Sequence, residues 1–137
     1  DVAAPVNPAR RTCPAVRHLS PVDDGLAHPW EGIIWCNPPY SAVRPRAERF
    51  AAHSEGLLLV PGVRSFWVNQ VLSTVDAVTL LGDVEFGRPD GSTSTLRSVV
   101  ILAAKGSTAV AALHRVAAAD VLHGAGTVFV RPGMVSL

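Results

Sequence analysis

The run from Ile33 to Ser41, which reads I-I-W-C-N-P-P-Y-S, restricts the fold of this chain more than any other stretch. Its apolar half favours a buried strand. The two prolines end that strand, because proline cannot donate a ladder hydrogen bond and holds φ at about −65°. A stiff loop must follow, presenting the Asn37 amide, the Pro38 carbonyl and the Tyr40 ring. Ligands of open α/β sheets bind beyond the carboxyl ends of the strands, so this loop is the first candidate for a functional site.

The polar groups of this loop suit the recognition of a planar amino group. The Asn37 side chain and the Pro38 carbonyl can accept hydrogen bonds from an exocyclic NH₂, while the face of Tyr40 can stack on the attached ring. Such a group is a poor nucleophile, because its lone pair is delocalised into the ring. Two acceptors can make its nitrogen more tetrahedral without a titrating base. A packing role for Tyr40 against the following helix remains open.

Composition limits the class of protein. The 137 residues are enough for one domain with its own core, and 48% hydrophobic against 17% charged residues excludes a disordered chain. The net charge of +1 gives no global signature of nucleic-acid binding, although nearly all of the positive charge is arginine, which favours phosphate. Cys13, Cys36 and the five histidines lack metal-ligand spacing, so no metal site is predicted. Since no apolar run is long enough to span a bilayer, we expect a soluble cytoplasmic protein without membrane association.

Periodicity and turn signals predict a β-α-β-α-β-β order, followed by a helix and a short strand. Strands are predicted at Gly32–Cys36, Gly56–Val60, Asp76–Leu81 with Val84–Phe86 continuing it, Leu96–Ala104 and Gly126–Arg131. Helices are predicted after caps at Ser41, Ser65 and Ser107, ending near His53, Leu72 and Ala119. Residues 1–29 are predicted to be loops with one helical turn near Ala9–Val16. The turn at Gly87–Ser92 joins two β-runs without a helix, which predicts antiparallel pairing.

Several short motifs extend the pattern around the loop. They are Asp1-Val2-Ala3-Ala4, Asp23-Asp24-Gly25-Leu26, Trp30-Glu31-Gly32 and Trp35-Cys36-Asn37-Pro38-Pro39-Tyr40-Ser41. This string resembles the phage-type DNA N6-adenine methyltransferase (Dam) family, densely over residues 1–41 and more loosely over 56–104. The resemblance implies a Rossmann-like, three-layer αβα methyltransferase fold whose last strand inserts antiparallel between its neighbours. It also implies site-specific methylation of adenine N6 in double-stranded DNA, with S-adenosylmethionine as the cofactor, by a phage or prophage enzyme of the restriction-modification type.

The resemblance and the position of each residue suggest roles for twelve residues. The catalytic candidates are Asn37, Pro38, Pro39 and Tyr40; the cofactor-binding candidates are Asp1, Ala3, Asp24 and Leu26; the DNA-binding candidates, from their places beside the loop, are Arg44, Arg46, Arg64 and Trp67. A solvated turn is the alternative for the acidic motif, a solvated helix face for the arginines, and core packing for Trp67. Protein glutamine methylation, or an inactive DNA-binding remnant, are the alternative functions.

The chain is expected to divide into three parts within one domain. Residues 1–31 hold the cofactor-side loops, 32–104 the catalytic loop, βα unit and hairpin, and 105–137 the last helix and strand. If Asp1 opens the first cofactor motif, the strand that leads into it is missing, and we expect a fragment. The edge of the Gly32–Cys36 strand would then be exposed, favouring a homodimer, unless the segment before Pro29 folds over it.

Overall fold

The computed structural model describes residues 1–11, 13–82, 84–88, 90–96, 98–119 and 127–132. Its strands are β1 (Ile34–Cys36), β2 (Gly56–Pro61), β3 (Ala77–Leu81), β4 (Val84–Gly87), β5 (Thr93–Leu96), β6 (Val100–Lys105) and β7 (Val128–Val130). Its helices are α1 (Val43–Ala52), α2 (Phe66–Leu72) and α3 (Ser107–Ala118), and 3₁₀ turns cover Pro8–Arg10 and Tyr40–Ala42. The predicted helical turn in the first 29 residues is thus centred earlier than expected, at Pro8–Arg10.

A five-stranded open sheet organises these elements in the order β1-β2-β6-β3-β7. Strand β1 pairs parallel with β2, whereas β6 lies antiparallel between β2 and β3. The last strand, β7, pairs antiparallel with the other side of β3. The chain is therefore mixed α/β. The antiparallel strand that lies between its neighbours is β6, whereas β7, the last described strand, lies at the edge of the sheet.

Helices cover both faces of this sheet, which explains why its central strands are mostly apolar. On one face, α1 and α2 pack against Leu58, Val60 and the odd-numbered residues of β6. On the other, α3 packs against Leu59 and the even-numbered residues of β6. A strand covered on both faces has no solvated side on which to place polar residues.

The caps of two helices differ from the prediction. Ser41 lies inside the 3₁₀ turn that leads into α1, and the residue before α1 is Ala42. Ser107 is the first residue of α3, which Gly106 precedes with φ +85°. The Glu55 carboxylate instead accepts a hydrogen bond from the Thr108 amide at 2.8 Å, and hydrogen bonding by Thr108 lowers the pKa of Glu55. A carboxylate from another part of the chain thus caps α3.

The hairpin also differs from the prediction. The run predicted as one strand over Leu96–Ala104 forms β5 and β6, and Val84–Phe86 belongs to β4 instead of continuing β3. Strands β4 and β5 pair with each other in a separate two-stranded sheet, with Gly87 opposite Thr93. The predicted antiparallel pairing is therefore present in two pieces, β4 with β5 and β3 with β6. The predicted start of the last strand, Gly126, lies outside the described residues.

The free edge of β1 is contacted by the beginning of the chain. The Val2 amide donates to the Trp35 carbonyl at 3.0 Å. Leu19 brackets the same segment, since its amide donates to Asp1 and its carbonyl accepts from Ala4, both at 2.9 Å. The segment before Pro29 thus folds over this edge. An exposed edge, and a homodimer formed through it, were expected only if this segment lay elsewhere.

No helix in the described ranges is long and apolar enough to cross a membrane.

Candidate functional site

The loop Asn37–Tyr40 leaves the sheet at the carboxyl end of β1. Pro38 is fully buried, whereas Asn37 is half-buried and Pro39 is exposed. The Pro39 carbonyl accepts a hydrogen bond from the Ala42 amide at 2.9 Å, which closes the 3₁₀ turn. Neither the Pro38 carbonyl nor the Asn37 side chain is hydrogen-bonded to any other described residue. The buried proline therefore anchors the loop, and the half-buried Asn37 amide is the more accessible of two acceptors that no described residue engages.

Tyr40 is held by packing. Its ring forms a T-shaped pair with Phe86 of β4, with ring centroids 5.8 Å apart and an interplanar angle of 75°. Its hydroxyl is buried without a hydrogen-bond partner in the described ranges. Burial raises the pKa of Tyr40 to about 12, so the phenol is neutral at physiological pH. An apolar ring pair thus stands beside the two acceptors.

Phe86 is a site residue that sequence reasoning did not single out. It is half-buried on β4, and the only local signal is the alternation of Val84 and Phe86 with the exposed Glu85. That alternation predicts that Phe86 lies on the covered side of a strand, but it does not predict that Phe86 contacts the Tyr40 ring. The hairpin brings Phe86 to the loop only after the chain has crossed the sheet twice more.

The 3₁₀ turn at Pro8–Arg10 also reaches this edge of the molecule. The Arg10 guanidinium donates to the Arg88 carbonyl, at the end of the β4–β5 hairpin, at 3.1 Å. The loop therefore has the hairpin as a neighbour, and the hairpin in turn contacts the amino-terminal segment.

A cavity of about 560 Å³ opens beside β1, within the size range of small-molecule sites. Its walls include one of the predicted cofactor residues, Asp1, together with Arg17, Trp30, Glu31 and Trp35. Asn37 follows Trp35 by two residues, the spacing at which side chains of an extended segment point to the same face. The cavity thus combines carboxylates, a guanidinium and two indole rings beside the segment that leads into β1 and the first two residues of that strand.

The other three predicted cofactor residues, Ala3, Asp24 and Leu26, do not line this cavity. The Ala3 amide donates to Asp1 Oδ1 at 3.1 Å, which orients that carboxylate. The exposed Asp24 has φ +49° and accepts a hydrogen bond from the Leu26 amide at 3.3 Å. These contacts with described residues are those of a turn, which is the alternative interpretation of the Asp23–Leu26 motif.

Gly25 joins the acidic motif to the start of the chain. A Cβ atom at Gly25 would lie 2.7 Å from the Val2 carbonyl oxygen, closer than real contacts allow. The Gly25 carbonyl also accepts a hydrogen bond from Trp30 Nε1 at 2.7 Å. Glycine is therefore required here for close packing of two backbone segments.

Arg49 of α1 ties the 24–30 loop to the body of the protein. Its guanidinium donates to the carbonyls of Leu26 and His28 and lies 5.1 Å from the centroid of the Trp30 ring. Its contacts show that it holds the loop.

Arg49→Lys is therefore expected to destabilise the protein by about 1–3 kcal/mol, because an ammonium cannot reproduce a planar fork over two carbonyls and an indole. Chemical denaturation with a fluorescence readout measures the change. Arg44→Lys is the matched control on the same helix, because the Arg44–Glu48 ion pair is exposed. Equal stability of the two variants would contradict the anchoring role.

The four predicted DNA-binding residues lie in different surroundings. Arg44 pairs with Glu48 at 2.8 Å, and Arg64 is exposed in the loop after β2. Arg46 is half-buried, and its Nε has no hydrogen-bond partner within the described part of the chain. Trp67 is half-buried and packs against the core beneath α1 and α2. Arg64 is therefore the more exposed of the two arginines in this set that form no ion pair with a described residue.

Cys36 is a core residue of β1. The thiol is fully buried, and burial raises the pKa of Cys36 to about 12, which suits a small core residue. In the ranges that the structure covers, no three His, Cys, Asp or Glu side chains gather as metal ligands would.

No family model matches the chain, and searches of curated proteins and of solved structures found no match. Its function is therefore inferred from its own residues and their geometry.

Proposed function

We propose that this chain is a site-specific DNA adenine-N6 methyltransferase of the phage type, with a Rossmann-like fold and S-adenosylmethionine as its cofactor. The observation that carries the proposal is the Asn37–Tyr40 loop, which leaves the carboxyl end of β1 with two acceptors that no described residue engages and with an aromatic pair beside them. Ligands of open α/β sheets bind at that edge. Protein glutamine methylation is the competing activity, because the same acceptors can bind a side-chain amide.

The sheet supports the fold assignment. Two parallel strands connected by α1, followed by an antiparallel strand inserted between β2 and β3, make the order that the resemblance implied for the second half of a methyltransferase sheet. The helices on both faces agree with a three-layer αβα arrangement. A likeness of fold alone does not assign chemistry, so the loop must supply the functional argument.

The acceptors in the loop act on the target amino group. The Asn37 side-chain oxygen and the Pro38 carbonyl each accept one N–H bond, which draws the N6 lone pair out of conjugation and orients it for attack. S-adenosylmethionine would supply the methyl carbon and leave as S-adenosylhomocysteine, and the proton of the methylated amino group would pass to water, so no residue of the loop has to titrate. Each acceptor contributes about 3 kcal/mol in the transition state, by analogy with single oxyanion-hole donors.

The ring pair provides walls for the flipped base. Tyr40 stacks on the face of adenine, and Phe86, at 75° to Tyr40, contacts the base from the side. The base leaves the duplex because its amino group is inaccessible while it is paired. Since the Tyr40 hydroxyl is buried and neutral, the ring and not the phenol does this work.

The residues of the 560 Å³ cavity fit the cofactor in size and chemistry. Asp1 and Glu31 suit its ammonium and sulfonium charges, Arg17 suits its carboxylate, and the indoles of Trp30 and Trp35 suit its adenine. When bound, S-adenosylmethionine supplies an electrophilic methyl group. Ala3 contributes through the hydrogen bond that orients Asp1.

Two further features belong to the same proposal. Double-stranded DNA is the partner, with Arg44, Arg46 and Arg64 near its phosphates, in the cytoplasm of a bacterial host.

Methyl incorporation from labelled S-adenosylmethionine tests the activity. The protein is incubated with unmethylated plasmid DNA, and the DNA is digested to nucleosides and analysed by mass spectrometry. N6-methyladenine supports the proposal. If methyl groups appear instead on glutamine amides of added protein, the activity belongs to the competing class. Thermal unfolding gives the cofactor's contribution separately, because a ligand at about 100 times its Kd stabilises the folded state by about 2.7 kcal/mol.

A further inference from the structure

An exposed apolar ridge, formed by Val63, Phe66 and Val99, stands beside the candidate loop. Phe66 is 75% exposed, and Val63 and Val99 are 46% and 47% exposed. Val99 lies against the loop after β2, because the Gly62 amide donates to the Val99 carbonyl at 2.7 Å. Phe66 is the most exposed aromatic side chain among the described residues, whereas its neighbour Trp67 packs against the core.

The register of the sheet places this ridge above the loop. Cys36, the last residue of β1, pairs with Leu58, and β2 continues through Pro61. At about 3.3 Å per residue, β2 reaches roughly 10 Å farther than β1 in the same direction. The ridge therefore projects past the start of the Asn37–Tyr40 loop, on the side from which a large substrate has to approach.

A cation is part of the same segment. Arg64 lies between Val63 and Phe66 in the sequence and is exposed, with no ion pair to any residue that the structure covers. Apolar side chains that enter a base stack are commonly accompanied by arginines that contact the phosphates. The positive charge of Arg64 and the position of the ridge beside the candidate loop both favour a nucleic-acid duplex as the binding partner of the ridge.

We propose that the ridge is a wedge that enters the base stack of double-stranded DNA, with Phe66 as the inserted ring and Arg64 as the phosphate contact. This inference rests on the proposed function, because the wedge serves to expel the target base toward Tyr40. The wedge occupies the gap in the stack while the base is outside it. Phe66 thus acts on the duplex, whereas Tyr40 acts on the extruded base.

Fluorescence anisotropy with labelled short duplexes tests the wedge without requiring methyl transfer. One duplex is intact, and the other carries a single abasic site, where inserting a ring does not require a base to be unstacked. The wild-type chain is expected to bind the abasic duplex about five-fold to ten-fold more tightly, in line with the stacking of one aromatic ring.

Phe66→Ala removes this preference and Phe66→Trp retains it, because a ring is what enters the stack. Arg64→Gln weakens the binding of both duplexes equally, since phosphates are present in both. Phe129→Ala is the matched control: Phe129 is also exposed, at 55%, but lies on β7 at the opposite edge of the sheet.

The outcomes separate the wedge from the proposed activity. No preference in the wild-type chain, or an unchanged preference in Phe66→Ala, overturns the wedge even if adenine is methylated. A preference that Phe66→Ala removes supports the wedge, even if a methylation assay overturns the proposed function. Absence of DNA binding together with a homodimer that Phe66→Ala dissociates would assign the ridge to a second copy of the chain and overturn the inference.

Discussion

Asn37→Ala is expected to lower the rate of methyl transfer to DNA by about 10²–10³-fold while leaving the protein folded. The side chain is half-buried and forms no hydrogen bond to another described residue, so its loss costs the fold little. The transition state, in contrast, loses one of the two acceptors for the amino group. Single-turnover methylation and thermal unfolding of the same preparation measure the two effects separately.

Asn69→Ala is the matched control for this prediction. Asn69 is an exposed asparagine of α2, and alanine is favourable in a helix, so neither activity nor stability should fall. Loss of folding in Asn37→Ala would mean that the loop is structural. Full activity in a folded Asn37→Ala protein would remove Asn37 from the mechanism.

Tyr40→Ala is expected to reduce methylation by about 10–100-fold, because one stacking contact with a base contributes roughly 1–3 kcal/mol. Tyr40→Phe should retain activity, since stacking requires the ring. The phenylalanine variant should also be at least as stable as the wild type, because it removes a buried hydroxyl that has no partner among the described residues. Steady-state kinetics and denaturation curves measure these effects.

The comparison of the two Tyr40 variants separates stacking from hydrogen bonding. If Tyr40→Phe is as inactive as Tyr40→Ala, the hydroxyl contacts the substrate and the stacking role is wrong. The activity of Tyr40→Phe should also show no new pH dependence between pH 6 and 9 relative to wild type, because burial holds the pKa of Tyr40 at about 12 and the phenol stays protonated throughout about this range.

Residue types and their local order determined much of this fold. Pro38 and Pro39 end β1 wherever the rest of the chain lies, because their rings restrict φ and remove two donors. Apolar runs such as Leu57–Val60 and Val99–Leu102 predict strands covered on both faces, and the structure confirms strands at both places. The position of the candidate loop at a strand's carboxyl end could therefore be predicted from the sequence.

The surroundings of the loop could not be predicted in the same way. Phe86 contacts Tyr40, Glu55 caps α3 and Arg49 holds the 24–30 loop, although in each case the partners are far apart in the chain. Local patterns extend over a few residues only, because they reflect backbone sterics and the alternation of faces. They identify Phe86 as a strand residue but not its neighbour.

Which residues meet across the chain was decided by the register of the sheet and the packing of the helices on it. Gly106 adopts φ +85° beside the Glu55 side chain, so the cap of α3 comes from the end of another connection and not from the local Ser107. In the same way, residues 1–4 are held in place by the hydrogen bond from the Val2 amide to β1 and by close contact of the Val2 carbonyl with Gly25. Such contacts form only when distant segments are brought together, because their free energy depends on burial and geometry that no short stretch of sequence contains.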